Sequence, residues 1–354
     1  MEDPRPKDVA RRLLAWFDER KRDLPWRRTR DPYRILVAEY LLQRTRVASG
    51  TPYYERFLAR FPDVATLASA SPDEVLKAWE GLGFYRRARN LHAAARTIAS
   101  RHGGEVPRTA AGLATLPGVG PYTSGAVASI AFGERVPAVD GNAARVLARL
   151  FSIEDDVTRR EGRERVFAAV RSLVPGERPG EFNQALMELG STVCTPSSPS
   201  CDVCPLRTLC RARAEGLERS LPRAAPAKSA TEARVAFALV ESKGRVLLVR
   251  RPESGLLGGL WCFPGGEPSA GLAPLVRLQT GLRVRIGEPI SNVDHAFSHR
   301  RWKGRVYRGV ATGGTLMAEA RWAEPADLQD APLVPFVRRI LESRATAPGP
   351  RRRA

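Results

Sequence analysis

Residues 116–133 read LPGVGPYTSGAVASIAFG. Gly118-Val119-Gly120 makes a tight turn, and Pro121 opens a helix of small and apolar residues behind it. A helix entering this turn and a second leaving it form a hairpin. Its glycines let a sugar–phosphate backbone come close, and the second helix presents N-terminal amides to a phosphate. A purely structural turn between two helices uses the same residues. The surrounding stretch, 109–133, carries no charge over 25 residues. Pro117, Pro121 and five glycines interrupt it, so it is not one membrane-spanning helix.

Outward from the hairpin, residues 8–215 carry helical signals. Asp31-Pro32 and Ser71-Pro72 are N-cap and first-turn pairs. Residues 35–42 are apolar apart from Glu39. Residues 90–98 and 146–151 have helical periodicity with arginines on the opposite face, a pattern that puts Arg145 and Arg149 in solvent. Residues 217–232 are rich in Pro, Ala and Ser without periodicity and read as a linker. Beyond them the pattern changes. Residues 235–240 and 245–249 are β-type runs around Ser242-Lys243-Gly244, a hairpin signal. Gly258-Gly259, Gly265-Gly266 and residues 306–310 continue a mixed α/β character. The tail, 346–354, is basic and reads as disordered.

The 354 residues hold 57 Lys and Arg against 38 Asp and Glu, a formal net charge of +19. Such a surplus attracts phosphate backbones, with an affinity that falls as salt rises. The composition is 27% charged and 43% hydrophobic, which is globular rather than disordered, and the length suffices for two cored domains. The start, MEDPRPKDVARRLLAWF, breaks any apolar signal core with charges. The expectation is a soluble, intracellular protein in which Cys262 needs no disulfide partner. The other four cysteines, Cys194, Cys201, Cys204 and Cys210, are spaced C-x6-C-x2-C-x5-C and can close around one metal centre. Spacing alone leaves zinc and iron–sulfur both open.

Two further stretches carry chemistry. Glu39 is the only charge between Arg34 and Arg44. A carboxyl in so apolar a helix is costly to ionise, and a raised pKa suits a general acid near neutrality. A glutamate reaching solvent or an arginine partner is the alternative. In GLGFYRRAR, 81–89, Leu82 and Phe84 suit an apolar wedge, with Tyr85, Arg86, Arg87 and Arg89 beside it as phosphate contacts. A packing corner with a solvated arginine face fits the same residues.

Residues 116–133 resemble the helix-hairpin-helix of the base-excision DNA glycosylase superfamily. The following VDGN, 139–142, looks like the stretch that carries its catalytic aspartate, here Asp140. The same residue is also suited to cap the helix behind it. AEYLLQRTRV, 38–47, resembles the segment of A/G-mismatch adenine DNA glycosylases (MutY type) whose glutamate, here Glu39, protonates adenine. LPWR (24–27), DPYRILVAE (31–39), WEGLGFYRRARNLH (79–92), FNQALMELG (182–190) and FSH (297–299) are similar to that family as well. Together they cover most of residues 10–345.

The resemblance implies a multi-domain architecture. An all-α helix-hairpin-helix glycosylase domain, 1–216, has its hairpin near 113–133 and an iron–sulfur loop at 194–210. The linker, 217–232, leads to an α/β Nudix-like lesion-recognition domain at 233–345. One [4Fe–4S] cluster on Cys194, Cys201, Cys204 and Cys210 is implied, in a structural, DNA-positioning role, with Arg207, Arg211 and Arg213 making its loop basic. The implied activity is monofunctional hydrolysis: relatives that also cut the backbone carry a lysine where Tyr122 stands, and tyrosine has no amine for a Schiff base. Adenine opposite 8-oxoguanine or guanine is flipped out of the duplex and protonated by Glu39. Asp140 stabilises the oxocarbenium-like sugar, in the manner of retaining glycosidases. Tyr122 and Asn142 support that charge and order the nucleophile.

Arg22, Trp26 and Gln184 align with the family's adenine pocket, and Gln43, Arg44, Thr45, Leu82, Phe84, Gly118 and Gly120 with its DNA contacts. Phe297-Ser298-His299 resembles the family's 8-oxoguanine-reading loop, which implies that Ser298 accepts the hydrogen that oxidation places on N7 of guanine; a strand end with a capping serine uses the same residues. Arg300, Arg301, Lys303, Arg305 and Arg308 hold the DNA from that side. No REUxEE-type glutamate cluster follows Gly266, so pyrophosphohydrolase activity is not expected. The implied protein is a cytoplasmic, DNA-associated monomer that acts on double-stranded DNA and not at a membrane. Two positions depart from the family: Arg44 replaces its second glutamine, and Phe84 a frequent tyrosine. Arg44 with Tyr122 also resembles the thymine-mismatch glycosylases, the alternative enzyme. A non-catalytic, metal-stabilised DNA-binding protein is the alternative of another class. The appended domain and its FSH loop favour the adenine enzyme.

Overall fold

The computed structural model describes residues 4–223 and 229–345. The expected basic tail lies outside them, as does part of the expected linker. Backbone proximity divides the described chain into two compact units, residues 4–69 with 90–223 and residues 70–89 with 229–345.

The first unit is helical. It contains α1 (Pro6–Arg20), α2 (Pro32–Leu42), α3 (Val47–Arg60) and α4 (Val64–Ser69). Asp31 starts α2 by accepting the backbone N–H groups of Tyr33 (2.9 Å) and Arg34 (3.3 Å), which leaves the apolar body of the helix to be buried. The second unit begins with α5 (Pro72–Ala78), where Ser71 and Glu74 close a capping box. The first unit resumes within α6 (Arg86–Arg101) and continues with α7 (Ala110–Leu113), α8 (Pro121–Phe132), α9 (Gly141–Leu150), α10 (Arg160–Leu173), α11 (Pro179–Thr192) and α12 (Arg211–Ala214). The hairpin forms between α7 and α8, although α7 is a single turn and ends well before Gly118. Gly118 has φ +77°, and a Cβ there would stand 2.4 Å from the Asn90 side-chain amide, so backbone and packing both demand glycine. The Tyr40 hydroxyl donates to the Pro117 carbonyl and ties α2 to the turn.

Leu13, Phe17, Val146, Leu147, Phe182 and Leu186 join α1, α9 and α11 in one core. The approach of α11 to the start of α9 is close: a Cβ on Gly190 would lie 2.7 Å from that of Asn142. Among the described residues, no helix is long and apolar enough to cross a membrane.

The second unit is built on a mixed sheet. Its elements are β1 (Thr231–Ser242), β2 (Arg245–Arg250), β3 (Trp261–Cys262), β4 (Gly265–Gly266), α13 (Leu272–Thr280), β5 (Leu282–Ala296), β6 (Arg300–Gly314), β7 (Ala320–Ala323), α14 (Pro325–Asp330) and α15 (Pro335–Ala345). Strand order is β3–β2–β1–β6–β5, with β4 beside β1 and β7 beside β2. β1 and β2 form the antiparallel hairpin read from the sequence, and β1 runs parallel to β6. β5 and β6 make a long hairpin whose tip is residues 297–299. Phe237 packs between Trp302 and Phe336. Helix α5 and the turn after it belong to this unit, not to the helices that flank them in sequence.

Candidate active site and metal-binding loop

In the helical unit a cavity of ≈ 160 Å³ is lined by Arg22, Trp26, Glu39, Tyr122, Asp140, Asn142 and Gln184. All seven residues expected for catalysis or the adenine pocket therefore meet at one place. Thr45 also reaches this cavity, whereas Gln43 stands beside it and donates to the Thr123 hydroxyl at 3.3 Å. A larger neighbouring cavity, ≈ 600 Å³, shares Arg22, Arg27 and Gln184 but touches neither Glu39 nor Asp140. The expected catalytic residues line only the smaller of these two.

Glu39 is 7% exposed. Burial raises its pKa to about 7; a hydrogen bond with Tyr122 pulls it down and the charge of Asp140 pushes it up. Burial likewise pushes the Tyr122 phenol well above its ordinary value, so the hydroxyl keeps its proton. It lies 3.3 Å from the Met187 sulfur.

Asp140 fills both roles open to it. As the N-cap of α9 it accepts the Ala143 amide at 2.7 Å, and the Asn142 side chain donates to its other oxygen at 2.8 Å. Burial raises its pKa, while those bonds and Arg145 act in the opposite direction.

The expectation that Arg145 and Arg149 face solvent is wrong for both. Arg145 is half-buried and donates to Asn142 Oδ1 (2.8 Å) and to the carbonyls of Gly190 (2.7 Å) and Cys194 (2.8 Å). Arg149 is 2% exposed and donates to the carbonyls of Thr195 (2.8 Å), Pro196 (2.9 Å) and Leu221 (2.8 Å), with Nη1 3.2 Å from the Cys194 sulfur. A guanidinium is held in the interior only where its donors are so satisfied.

Glu188 was not foreseen. It is 1% exposed at the cavity wall and takes Arg22 in a bidentate pair, 2.7 and 2.6 Å, with Arg27 at 2.8 Å. Burial would raise its pKa, but the two guanidinium groups overcome that and hold it near about 2. Asn183, also missed, is fully buried. It accepts the Ala138 amide (3.1 Å) and donates to the Val136 carbonyl (2.9 Å), fixing the chain that leads into Asp140.

The four clustered cysteines follow α11. Burial first, then the other three thiols, push Cys204 up to about 12. Cys210 and Cys201 are raised by burial in the same way. The mutual influence means that the thiols lie near one another. Among the described residues, no three His, Cys, Asp or Glu side chains are arranged to hold a single metal ion. The basic residues of the loop are engaged: Arg207 with the Asp202 carbonyl, Arg213 with the Asp202 carboxylate and Arg211 with Glu215.

In the second unit, Phe84 is 45% exposed and has φ +48°, rare for an aromatic residue. Leu82 beside it is half-buried. Most of the expected flanking contacts are corrected. Tyr85 is buried. Arg87 lies 5.4 Å from the rings of both Trp79 and Phe84 and donates to the Gly83 carbonyl, while Arg89 donates to the Glu253 and Gly258 carbonyls. Arg86 is exposed. At the β5–β6 tip Ser298 and His299 are exposed, while Phe297 packs on His295 and Trp302. Arg300, Arg301 and Lys303 pair with Glu267, Asp294 and Glu232, so much of that basic stretch is already neutralised.

Residues 37–172 match the model of the HhH-GPD superfamily of base excision DNA repair proteins, and residues 235–343 that of the NUDIX domain. A structure of a thermostable thymine-DNA glycosylase is similar over 60% of this chain and 97% of its own, with 31% identity and TM-score 0.55. A trapped endonuclease III–DNA covalent intermediate is similar over 60% and 96%, with 26% identity and TM-score 0.51. The fold and cavity thus define a helix-hairpin-helix DNA glycosylase of base-excision repair.

The human adenine DNA glycosylase is 38% identical over 93% of this chain and 72% of its own length. The Schizosaccharomyces pombe enzyme is 32% identical over 90% and 85%. The Buchnera aphidicola enzyme of Schizaphis graminum is 30% identical over 81% and 83%. The chain belongs to the adenine DNA glycosylase family, hydrolases that cleave adenine from DNA.

Proposed function

We propose that the substrate is adenine paired with 8-oxoguanine or guanine, and that the enzyme is monofunctional. One observation carries the mechanism: in a single cavity a buried carboxyl poised near pH 7 faces a second carboxylate, and no lysine lines the wall. Glu39, protonated in an appreciable fraction at neutral pH, donates to the ring of the flipped adenine and makes it a neutral leaving group. Tyr122 holds Glu39 in place. Positive charge then develops on the sugar, and Asp140, oriented by Asn142 and the Ala143 amide, stabilises it before water completes the hydrolysis. Arg22, fixed by Glu188, and Trp26 and Gln184 frame the base.

Ser298, exposed at the hairpin tip, reads the N7 hydrogen of 8-oxoguanine. Gln43, Arg44, Thr45, Leu82, Phe84, Gly118 and Gly120 face the duplex, with Phe297 and His299 supporting Ser298. The fit of a [4Fe–4S] cluster rests on its donors: four cysteine sulfurs in one loop, near enough to influence one another's ionisation. A cluster on Cys194, Cys201, Cys204 and Cys210 would crosslink the loop after α11 and would supply no step of the hydrolysis. Division of labour follows the chain apart from residues 70–89, which pack in the second unit: catalysis in residues 1–216, linker 217–232, lesion reading in 233–345. The protein acts as a monomer on cytoplasmic DNA.

Glu39→Gln tests the acid. Base release should fall at least about a hundredfold while DNA affinity is kept, as removal of a general acid predicts. Full activity in the variant would reject Glu39. Borohydride reduction during turnover tests the absence of a Schiff base: trapping of the enzyme on DNA would overturn monofunctional hydrolysis.

A further inference from the structure

The turn that carries Leu82 and Phe84 lies in the primary sequence among the helices of the catalytic unit, yet it belongs to the unit of residues 229–345. Three side-chain braces account for this. Asp73, at the start of α5, accepts Arg250 from β2 at 2.5 Å and the Trp261 indole N–H from β3 at 3.1 Å. Glu80, where the turn begins, pairs with Arg338 of α15, which also donates to the Ala331 carbonyl at 2.8 Å. Arg89, behind the turn, reaches back to the Glu253 carbonyl at 2.8 Å and to that of Gly258. The braces therefore grip the segment before, at and after the wedge.

Between them the turn is strained. Gly81, Gly83 and Phe84 all have positive φ, +96°, +70° and +48°. The Trp79 indole, fully buried, donates to the Gly83 carbonyl at 3.2 Å, and the Gly81 amide to the Tyr85 hydroxyl at 3.3 Å. A left-handed aromatic residue persists only where its surroundings over-determine it.

We propose that the Nudix-like domain positions the DNA wedge: Arg250, Trp261 and Arg338 hold the turn of residues 81–85 in the shape that presents Phe84 to the base stack. This rests on the proposed role of Phe84 at the duplex. It gives the appended domain a second task besides lesion reading, carried out by residues remote from its FSH tip in sequence. Base unstacking before adenine extrusion then depends on ion pairs that touch neither the base nor the catalytic cavity.

The test is a mutant cycle in the full-length protein. Arg250→Met, Arg338→Met and their double variant are measured alone and combined with Phe84→Ala. The readouts are single-turnover adenine release, fluorescence of 2-aminopurine placed beside the adenine, and the urea midpoint. With Phe84 present, the double variant should lose roughly three- to tenfold in base release, the scale of one net hydrogen bond, and part of the 2-aminopurine rise. In the Phe84→Ala background it should cause no further loss. An equal loss in both backgrounds would overturn the proposal, since the effect would then bypass the wedge. So would unchanged rates in the double variant. Phe84→Ala releasing adenine at the parent rate would reject the wedge itself while leaving the glycosylase reading intact. Should Arg338→Met lower the urea midpoint, the charge swap Glu80→Arg with Arg338→Glu decides: restored release and fluorescence support the brace, and no restoration counts against it.

Discussion

Glu39 takes up its proton near pH 7 in the folded chain and near 4.5 when burial is lost. The folded state therefore holds more protons between those values, and stability falls as pH rises through that window, by about 3 kcal/mol in all. Glu39→Gln removes the slope. Urea midpoints should show the variant more stable than the parent at pH 8 and without that advantage at pH 4. The same titration sets the rate: adenine release by the parent declines as pH rises beyond about 7, because the proton donor is lost. A rate that climbs with pH would assign the step to a base. The apolar run around Glu39 made its raised pKa legible in the sequence. Glu188 was not legible, because its partner Arg22 lies 166 positions away and only the fold brings the two together. Glu188→Gln should leave Arg22 and Arg27 without their counter-charge and cost about 3–5 kcal/mol, the range for breaking a buried pair, measured as a fall in the urea midpoint.

At the level of elements, the hairpin is the feature on which substitution acts most selectively. Gly118→Ala meets both a positive φ and the Asn90 side chain, so the turn must open. Duplex affinity should drop; fluorescence anisotropy with undamaged DNA would show the change. Caps and turns were readable from local chemistry: Asp31 and Ser71 start helices where their hydrogen-bonding oxygens predict, and Ser242-Lys243-Gly244 closes a hairpin. Arginine positions were misread for a physical reason. On a helical wheel Arg149 falls opposite the apolar stripe, but carbonyls of residues 195, 196 and 221 fold over it and satisfy its donors. The same holds for Arg87 and Arg89, whose acceptors are loop carbonyls that no periodicity reveals.

Across the whole molecule, a formal charge of +19 favours association with any duplex, and in our proposal base release takes place in the ≈ 160 Å³ cavity that holds Glu39. Non-specific binding should weaken steeply with salt, with a log–log slope of about −0.9 per phosphate contacted. The slope should be shallower than the arginine count predicts, because Arg300, Arg301 and Lys303 spend charge on internal partners. The two-part organisation was visible as a change of periodicity after the linker. The membership of residues 70–89 in the second unit was not, since it depends on Asp73, Glu80 and Arg89 finding partners some 160 to 260 residues on. The central claim is that one cavity hydrolyses adenine from its mispair with 8-oxoguanine. The most direct measurement is single-turnover base release from duplexes with A opposite 8-oxoguanine, A opposite G and T opposite G, each with and without alkali. Adenine release should be fastest opposite 8-oxoguanine, with no thymine release and strand breaks only after alkali. Release of thymine alone, or strand cleavage without alkali, would contradict it.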